Sequence, residues 1–124
     1  MIHFLFVLLS ACAWTRTELY CGTNRVGSEP VSAAEWQAFL REEVEPRFPN
    51  GFTVVESQGE WHGVDGQTVH EPTHIVVLLR QGHDAEVLAI AEAYRRRFHQ
   101  ETVLRVDQAA RVVFVVGEDT PSAR

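Results

Sequence analysis

The chain has 124 residues, 45% of them hydrophobic, which is enough apolar material for one compact core and too little for two ordinary domains. Its formal net charge of -6, with no lysine and 11 arginines spread along the chain, repels phosphate backbones and excludes a basic nucleic-acid-binding stripe, so no nucleic-acid partner is expected. Two cysteines, Cys12 and Cys21, are too few for a disulfide scaffold.

Ile2 to Leu9 is an apolar run too short to span a bilayer but of the length of a signal-peptide core. Leu9-Ser10-Ala11-Cys12 follows and matches a bacterial lipobox: an aliphatic residue, two small residues and a Cys that is acylated and becomes the mature N-terminus. The segment lacks the usual Lys/Arg n-region. Residues 1–12 are thus expected to be an address, with Cys12 the lipidation site and the membrane its partner through that anchor, on the periplasmic side of a bacterial cell envelope. Two other readings of these residues stand beside it: a first core strand with Cys12 as a buried thiol, and a Cys12–Cys21 disulfide.

The folded domain is expected over residues 16–117, with 118–124 a polar tail. Glu18 to Arg25 reads as a first strand. After the loop Gly27-Ser28-Glu29-Pro30, Ser32 is placed as a helix N-cap with Glu35 reaching back, and Val31 faces Trp36 as a hydrophobic staple. Trp36, Phe39, Leu40 and Val44 form the stripe for burial, and Pro46 stops the helix. Phe48-Pro49-Asn50-Gly51 is a turn. Phe52 to Trp61 is a strand in which Gly59 marks a bulge or a close approach by another group.

Gly63 to Gln67 carries hairpin-loop chemistry. The return strand, Thr73 to Arg80, is apolar on both faces and therefore expected to be central. Asp84 is placed as the cap of a second helix whose buried face is Val87, Ile90, Ala91, Tyr94 and Phe98, with Arg95 to Arg97 at its C-terminal end. Val103 to Val106 and Arg111 to Val116 are strand-like, as one bulged strand or a strand with an edge extension. The order strand, helix, strand, strand, helix, strand is that of an α+β, ferredoxin-like split βαβ domain, an antiparallel sheet with both helices on one face. The other face then needs cover, from a homodimer partner or a C-terminal extension.

His70-Glu71-Pro72-Thr73-His74 satisfies the H-E-x-x-H pattern of zinc peptidases, but that chemistry needs a helix to bring both imidazoles to one metal. Pro72 forbids that helix, so no metal site is expected. No glycine pattern for nucleotides and no sequence-visible nucleophile with a His partner is present, and no cofactor is expected. The remaining polar groups at element ends are Arg47, Glu60, Trp61, Glu101, Arg105, Tyr20 and Tyr94. One reading pairs Arg47 or Arg105 with Glu101 or a carbonyl and leaves Trp61 at the core's rim. The other makes Arg47, Trp61, Glu101, Arg105 and Tyr94 ligand-binding candidates in a cleft where the arginines take an anion and Trp61 stacks on it.

Glu35-Trp36-Gln37-Ala38-Phe39-Leu40, Pro46-Arg47-Phe48-Pro49 with Gly51-Phe52-Thr53-Val54, Gly59 with Trp61, and Gln100-Glu101-Thr102-Val103-Leu104-Arg105-Val106 resemble a bacterial family of small exported proteins catalogued as a domain of unknown function. The resemblance covers roughly residues 16–107. It implies an envelope location and no activity; Glu60 stands where the pattern has Gln, and the His70 to His74 segment is outside it. Two functions are therefore expected in competition. One is an envelope lipoprotein domain binding a partner or small ligand. The other is a cofactor-independent small-molecule enzyme resembling the dimeric ferredoxin-like monooxygenases and isomerases, with Arg47, Trp61 and Arg105 holding the substrate.

Overall fold

The computed structural model describes residues 13–117; the lipobox with Cys12 and the polar tail lie outside the described residues. Alternating apolar positions build β1 (Trp14–Gly22), β2 (Thr53–His62), β3 (Thr68–Arg80) and β4 (Leu104–Ala110) into one antiparallel sheet of order β2-β3-β1-β4. Two helices, α1 (Ala33–Phe39, continued to Val44 by a widened turn) and α2 (Asp84–Arg97), complete a split βαβ fold of the ferredoxin-like kind. Both helices pack on one sheet face: Trp36, Phe39, Val44, Val87, Ile90 and Tyr94 share a core with Leu19, Cys21, Val76 and Leu78. Tyr94 closes that core by donating its hydroxyl to the Gly22 carbonyl (2.6 Å).

Local chemistry explains the boundaries. The Ser32 hydroxyl accepts from the Glu35 N–H (3.1 Å), as an N-cap should. The Glu35 carboxylate, expected to reach back to the cap, instead pairs with Arg25 (3.0 Å). Pro46 has no N–H, and in a regular helix its ring would collide with the carbonyl four residues back. The last turn therefore widens, with the Glu45 N–H reaching Leu40 five residues back (2.9 Å), and both Leu40 and Val44 stay in the core. The turn after it closes from the Gly51 N–H to the Phe48 carbonyl, and Gly51 carries the positive φ of 124°.

Several expectations are corrected. The first strand is Trp14–Gly22, not Glu18 to Arg25, because Asn24 and Arg25 leave the sheet to bond Glu71 and the Glu29 carbonyl. Asp84 is the first helical residue and does not cap: His83 precedes it in left-handed conformation (φ 61°), and the Asp84 carboxylate faces Arg105. Arg111 to Val116 is not a strand, because the β1–β4 register ends at Trp14–Ala110 and no described strand continues alongside. Of the two readings of Gly59, the close approach holds: it sits in unbroken register opposite Glu71, and a Cβ there would meet the Trp61 ring. The return strand also starts earlier than expected, at Thr68, and is central in the sheet.

A buried ionic network pins β1, β3 and β4 behind the N-terminus of α2. Arg80, 7% exposed, donates to the Thr17 hydroxyl (2.8 Å), the Gly82 carbonyl and Asp107 (3.2 Å); Thr17 in turn donates to Asp107 (2.6 Å). The Thr17 hydrogen bond, ahead of those from Arg105 and Arg80, holds the Asp107 carboxyl below its ordinary value. A carboxyl depressed in the folded state adds stability above its unfolded pKa and loses it as pH falls through the folded value. The urea midpoint should accordingly be flat near neutrality and fall below about pH 4. Asp107→Asn should flatten that acid limb; an unchanged acid limb in the variant would remove Asp107 from this role.

Candidate open-face site

Cross-strand partners share a face, so the register assigns every strand residue to the helix side or the open side. The open side carries Arg16, Glu18, Tyr20 and Gly22 of β1 beside Leu79, Val77, Ile75, Thr73 and Glu71 of β3. Ser57, Gly59 and Trp61 of β2 and Leu104 and Val106 of β4 flank them. Polar groups on this otherwise apolar face fall into three places.

At the hairpin end, the Glu71 carboxylate accepts from the Trp61 indole N–H on one oxygen (2.8 Å) and from the Asn24 backbone N–H on the other (2.8 Å). Two glycines make room for this pair. A Cβ on Gly22 would lie 2.5 Å from Glu71 Oε1, and one on Gly59 would meet the Trp61 ring at 3.1 Å. Trp61 is 42% exposed, so one ring is fixed in place yet open to solvent, and each carboxylate oxygen retains accepting capacity. Such a corner can stack a planar ring and accept hydrogen bonds from hydroxyl or amino groups. Gly22→Ala should displace the carboxylate and break both of its bonds. The expected loss is about 1–2 kcal/mol of stability, together with a shift of the Trp61 indole resonance; an unmoved Trp61 signal would contradict the notch geometry.

At mid-face, Glu18 accepts from the Tyr20 hydroxyl (2.7 Å) and from Arg16 Nε (3.3 Å). The Tyr20 bond and then the Arg16 contact hold the Glu18 carboxyl below its ordinary range, and the same bond raises the Tyr20 hydroxyl. A fixed anion thus sits between Val77 and Val106, its cross-strand neighbours. At the far end, the turn after α1 and the segment around Val113 to Val116 enclose a groove of about 1520 Å³, walled by Trp14, Phe48, Leu79 and Phe114 and reached by Arg16 and Arg47.

The structure does not bring the sequence-predicted candidates together. Arg47 lines the groove, its Nη1 held by the Glu43 carbonyl and carboxylate (2.9 and 2.8 Å). Trp61 is at the opposite end of the same face. Arg105 points to the helix side, where it bonds Asp84 and Asp107. Tyr94 is a core residue and Glu101 an exposed loop residue. An anion clamp of Arg47, Trp61 and Arg105 is therefore not formed.

The H-E-x-x-H segment lies in β3, as Pro72 required. His70 and His74, four residues apart on a strand, are separated by about 13 Å. Among the described residues, no three His, Cys, Asp or Glu side chains gather as a metal site. His74 lies opposite Cys21 and 2.6 Å from Glu56, an order that suggests a nucleophile with its base. Burial raises the Cys21 thiol far above its ordinary pKa, its Sγ faces the Leu19 carbonyl, and the His74 ring stacks on Trp36 at 4.1 Å. Those contacts are structural.

A family model described as a protein of unknown function (DUF3574) matches residues 16–114. The chain belongs to the DUF3574 family. No curated protein matches this DUF3574 chain. Two solved structures share its fold. A phage SAM lyase in the apo state is 18% identical, covers 100% of this chain and 98% of its own, and superposes with a TM-score of 0.61. A phage SAM lyase in complex with S-methyl-5'-thioadenosine is also 18% identical, with 77% of this chain and 80% of that chain covered and a TM-score of 0.60. At that identity the likeness establishes the fold of this DUF3574 domain, and the chemistry has to be argued from its own side chains.

Proposed function

We propose that this DUF3574 domain is a small-molecule enzyme or binding domain whose open sheet face takes an adenosyl thioether or sulfonium compound, with the Trp61–Glu71 corner as the nucleoside end. The observation that carries the reading is the exposed indole fixed beside a hydrogen-bonded carboxylate, on a fold shared with the phage lyases over the full chain. Adenine stacks on the indole, an interaction worth about 1–3 kcal/mol per base. The spare lone pairs of Glu71 accept from the ribose hydroxyls, which a fixed carboxylate suits well.

Cleavage of such a sulfonium needs no redox group: as the carbon–sulfur bond breaks, its electron pair goes to the positively charged sulfur and a neutral thioether leaves, while the carbon it leaves takes an electron pair from the substrate's own carboxylate oxygen, closing a lactone. The protein's share is to hold the substrate extended on the sheet, which is a positioning task. The test is calorimetric titration of the full chain with S-methyl-5'-thioadenosine, with S-adenosylmethionine turnover followed by chromatography. Saturable binding weakened at least tenfold in Glu71→Gln and Trp61→Ala is the expected result. Absence of binding by either compound would overturn the reading.

The address read at Leu9 to Cys12 is a separate proposal, compatible with either a binding or a catalytic domain. Cys12→Ala should abolish metabolic palmitate labelling; labelling that persists in the variant rules out acylation there.

A further inference from the structure

The groove at the far end of the open face is distinct from the Trp61–Glu71 corner, being formed at the opposite ends of β2 and β3. Among the described residues its lining includes Arg16, Arg47, Arg80 and His83 and no Asp or Glu, although acidic residues outnumber arginines 17 to 11 in the chain. The walls between these cations are apolar: Trp14 and Phe114 meet edge to face at 5.9 Å, with Val77, Leu79 and Phe48 beside them.

The arginines are held so that donors remain for a ligand. Among the described residues, Arg47 is anchored through Nη1, to Glu43, which leaves Nε and Nη2. Arg16 uses Nε for Glu18 and keeps both terminal nitrogens. Arg80 has all three of its nitrogens engaged, by Thr17, Gly82 and Asp107, and contributes chiefly charge. His83 is flanked by Glu86 (3.8 Å) and packs against Phe48. Two anchored guanidinium groups with spare donors, set among aromatic and aliphatic walls, match a planar anion on an apolar body.

We propose that this groove binds a monocarboxylate with a long apolar body, the carboxylate taken by Arg16 and Arg47 and the body laid along Trp14, Leu79 and Phe114. The inference does not rest on the adenosyl reading of the other end of the face. The groove is open along one side and bounded by Trp14, Leu79 and Phe114, a shape that suits an extended apolar chain laid along it better than a compact metabolite.

The test uses the full chain and three probes of one chain length below their micelle concentrations: dodecanoate, dodecanol and dodecyltrimethylammonium. Dodecanoate is expected to bind one per chain and at least tenfold tighter than either of the others. Arg16→Gln and Arg47→Gln together should remove that preference while leaving dodecanol binding unchanged, an outcome that misfolding of the variant would not produce. Equal affinity for the three probes, or a preference that survives the double variant, overturns the proposal. So does failure of dodecanoate to bind. If light scattering shows a dimer, Phe114→Asp is added; a dimer that this variant splits, with no dodecanoate binding in either form, assigns the groove to a second copy and equally overturns the proposal. S-methyl-5'-thioadenosine titrated into the same samples reports the other end of the face, so the two readings fail separately.

Discussion

Phe39→Ala is expected to cost about 4 kcal/mol of unfolding free energy. The ring is fully buried and is the hub of the aromatic core: Trp36 stacks on it at 5.7 Å, while Tyr94 and Phe98 meet it edge-on at 5.1 and 6.0 Å. Truncation removes the transfer free energy of the ring and also leaves a void lined by rigid aromatics that cannot collapse into it. For a domain of this size that loss lowers the midpoint of thermal unfolding by roughly 20 °C. Urea unfolding followed by far-UV circular dichroism reads it directly. A loss below about 1.5 kcal/mol would mean that the helices repack, and that the core is less fixed than its ring geometry indicates.

Asp107→Ala comes next, at about 2 kcal/mol, below the cost of breaking a fully buried pair because Asp107 is 41% exposed. The cost arises from what is left behind, since the Arg80 guanidinium stays buried with the Thr17 hydroxyl and the Gly82 carbonyl but without its nearest counter-charge. Asp84 stands 3.8 Å away and is 76% exposed, so it replaces little of that interaction. Asp84→Ala itself should cost under about 1 kcal/mol for the same reason. The two explanations of the Asp107 effect, lost attraction or a stranded charge, separate in the double variant Asp107→Leu with Arg80→Met. Recovery of most of the stability identifies the stranded charge; no recovery identifies the ion pair as net stabilising.

Much of the fold was legible because its signals are local. Ser32 as N-cap, the stripe Trp36, Phe39, Leu40 and Val44, the Phe48 to Gly51 turn and the alternation of β2 each depend on neighbours within a few residues, and the structure uses them as read; the Glu35 side chain, drawn to Arg25 ten residues away, is the exception. Arg111 to Val116 shows the converse. Its strand propensity is high, yet a strand needs a neighbour, and β4 has already used the length of β1 by Ala110. Val113 to Val116 are left between 65% and 94% exposed, with Phe114 packed on Trp14.

The site was less legible for the same reason. Trp61 is visible in the sequence as a polar-tipped aromatic at a strand end, but its partner Glu71 stands inside a zinc-like motif that hides its role. What distinguishes Glu71 is a contact with Asn24, 47 residues away, and a notch made by Gly22, neither of which leaves a local pattern. Tyr94 was a candidate for its hydroxyl; its place in the α2 stripe was the better guide, since that hydroxyl is spent on the Gly22 carbonyl. Arg105 falls on the helix side by the register of β4 against Leu19, a fact that needs the pairing and not the strand alone.

The central claim is that the open sheet face takes an adenosyl thioether at the Trp61–Glu71 corner, and the three tryptophans report on it independently. Trp14 lines the groove, Trp36 is in the core and Trp61 is at the corner. The most direct measurement is a heteronuclear correlation spectrum of the full chain, recording the three indole N–H signals during titration with S-methyl-5'-thioadenosine. The account predicts that the Trp61 indole and the Gly59 amide move with saturation while Trp36 stays fixed. Saturating ligand that leaves Trp61 in place would contradict it.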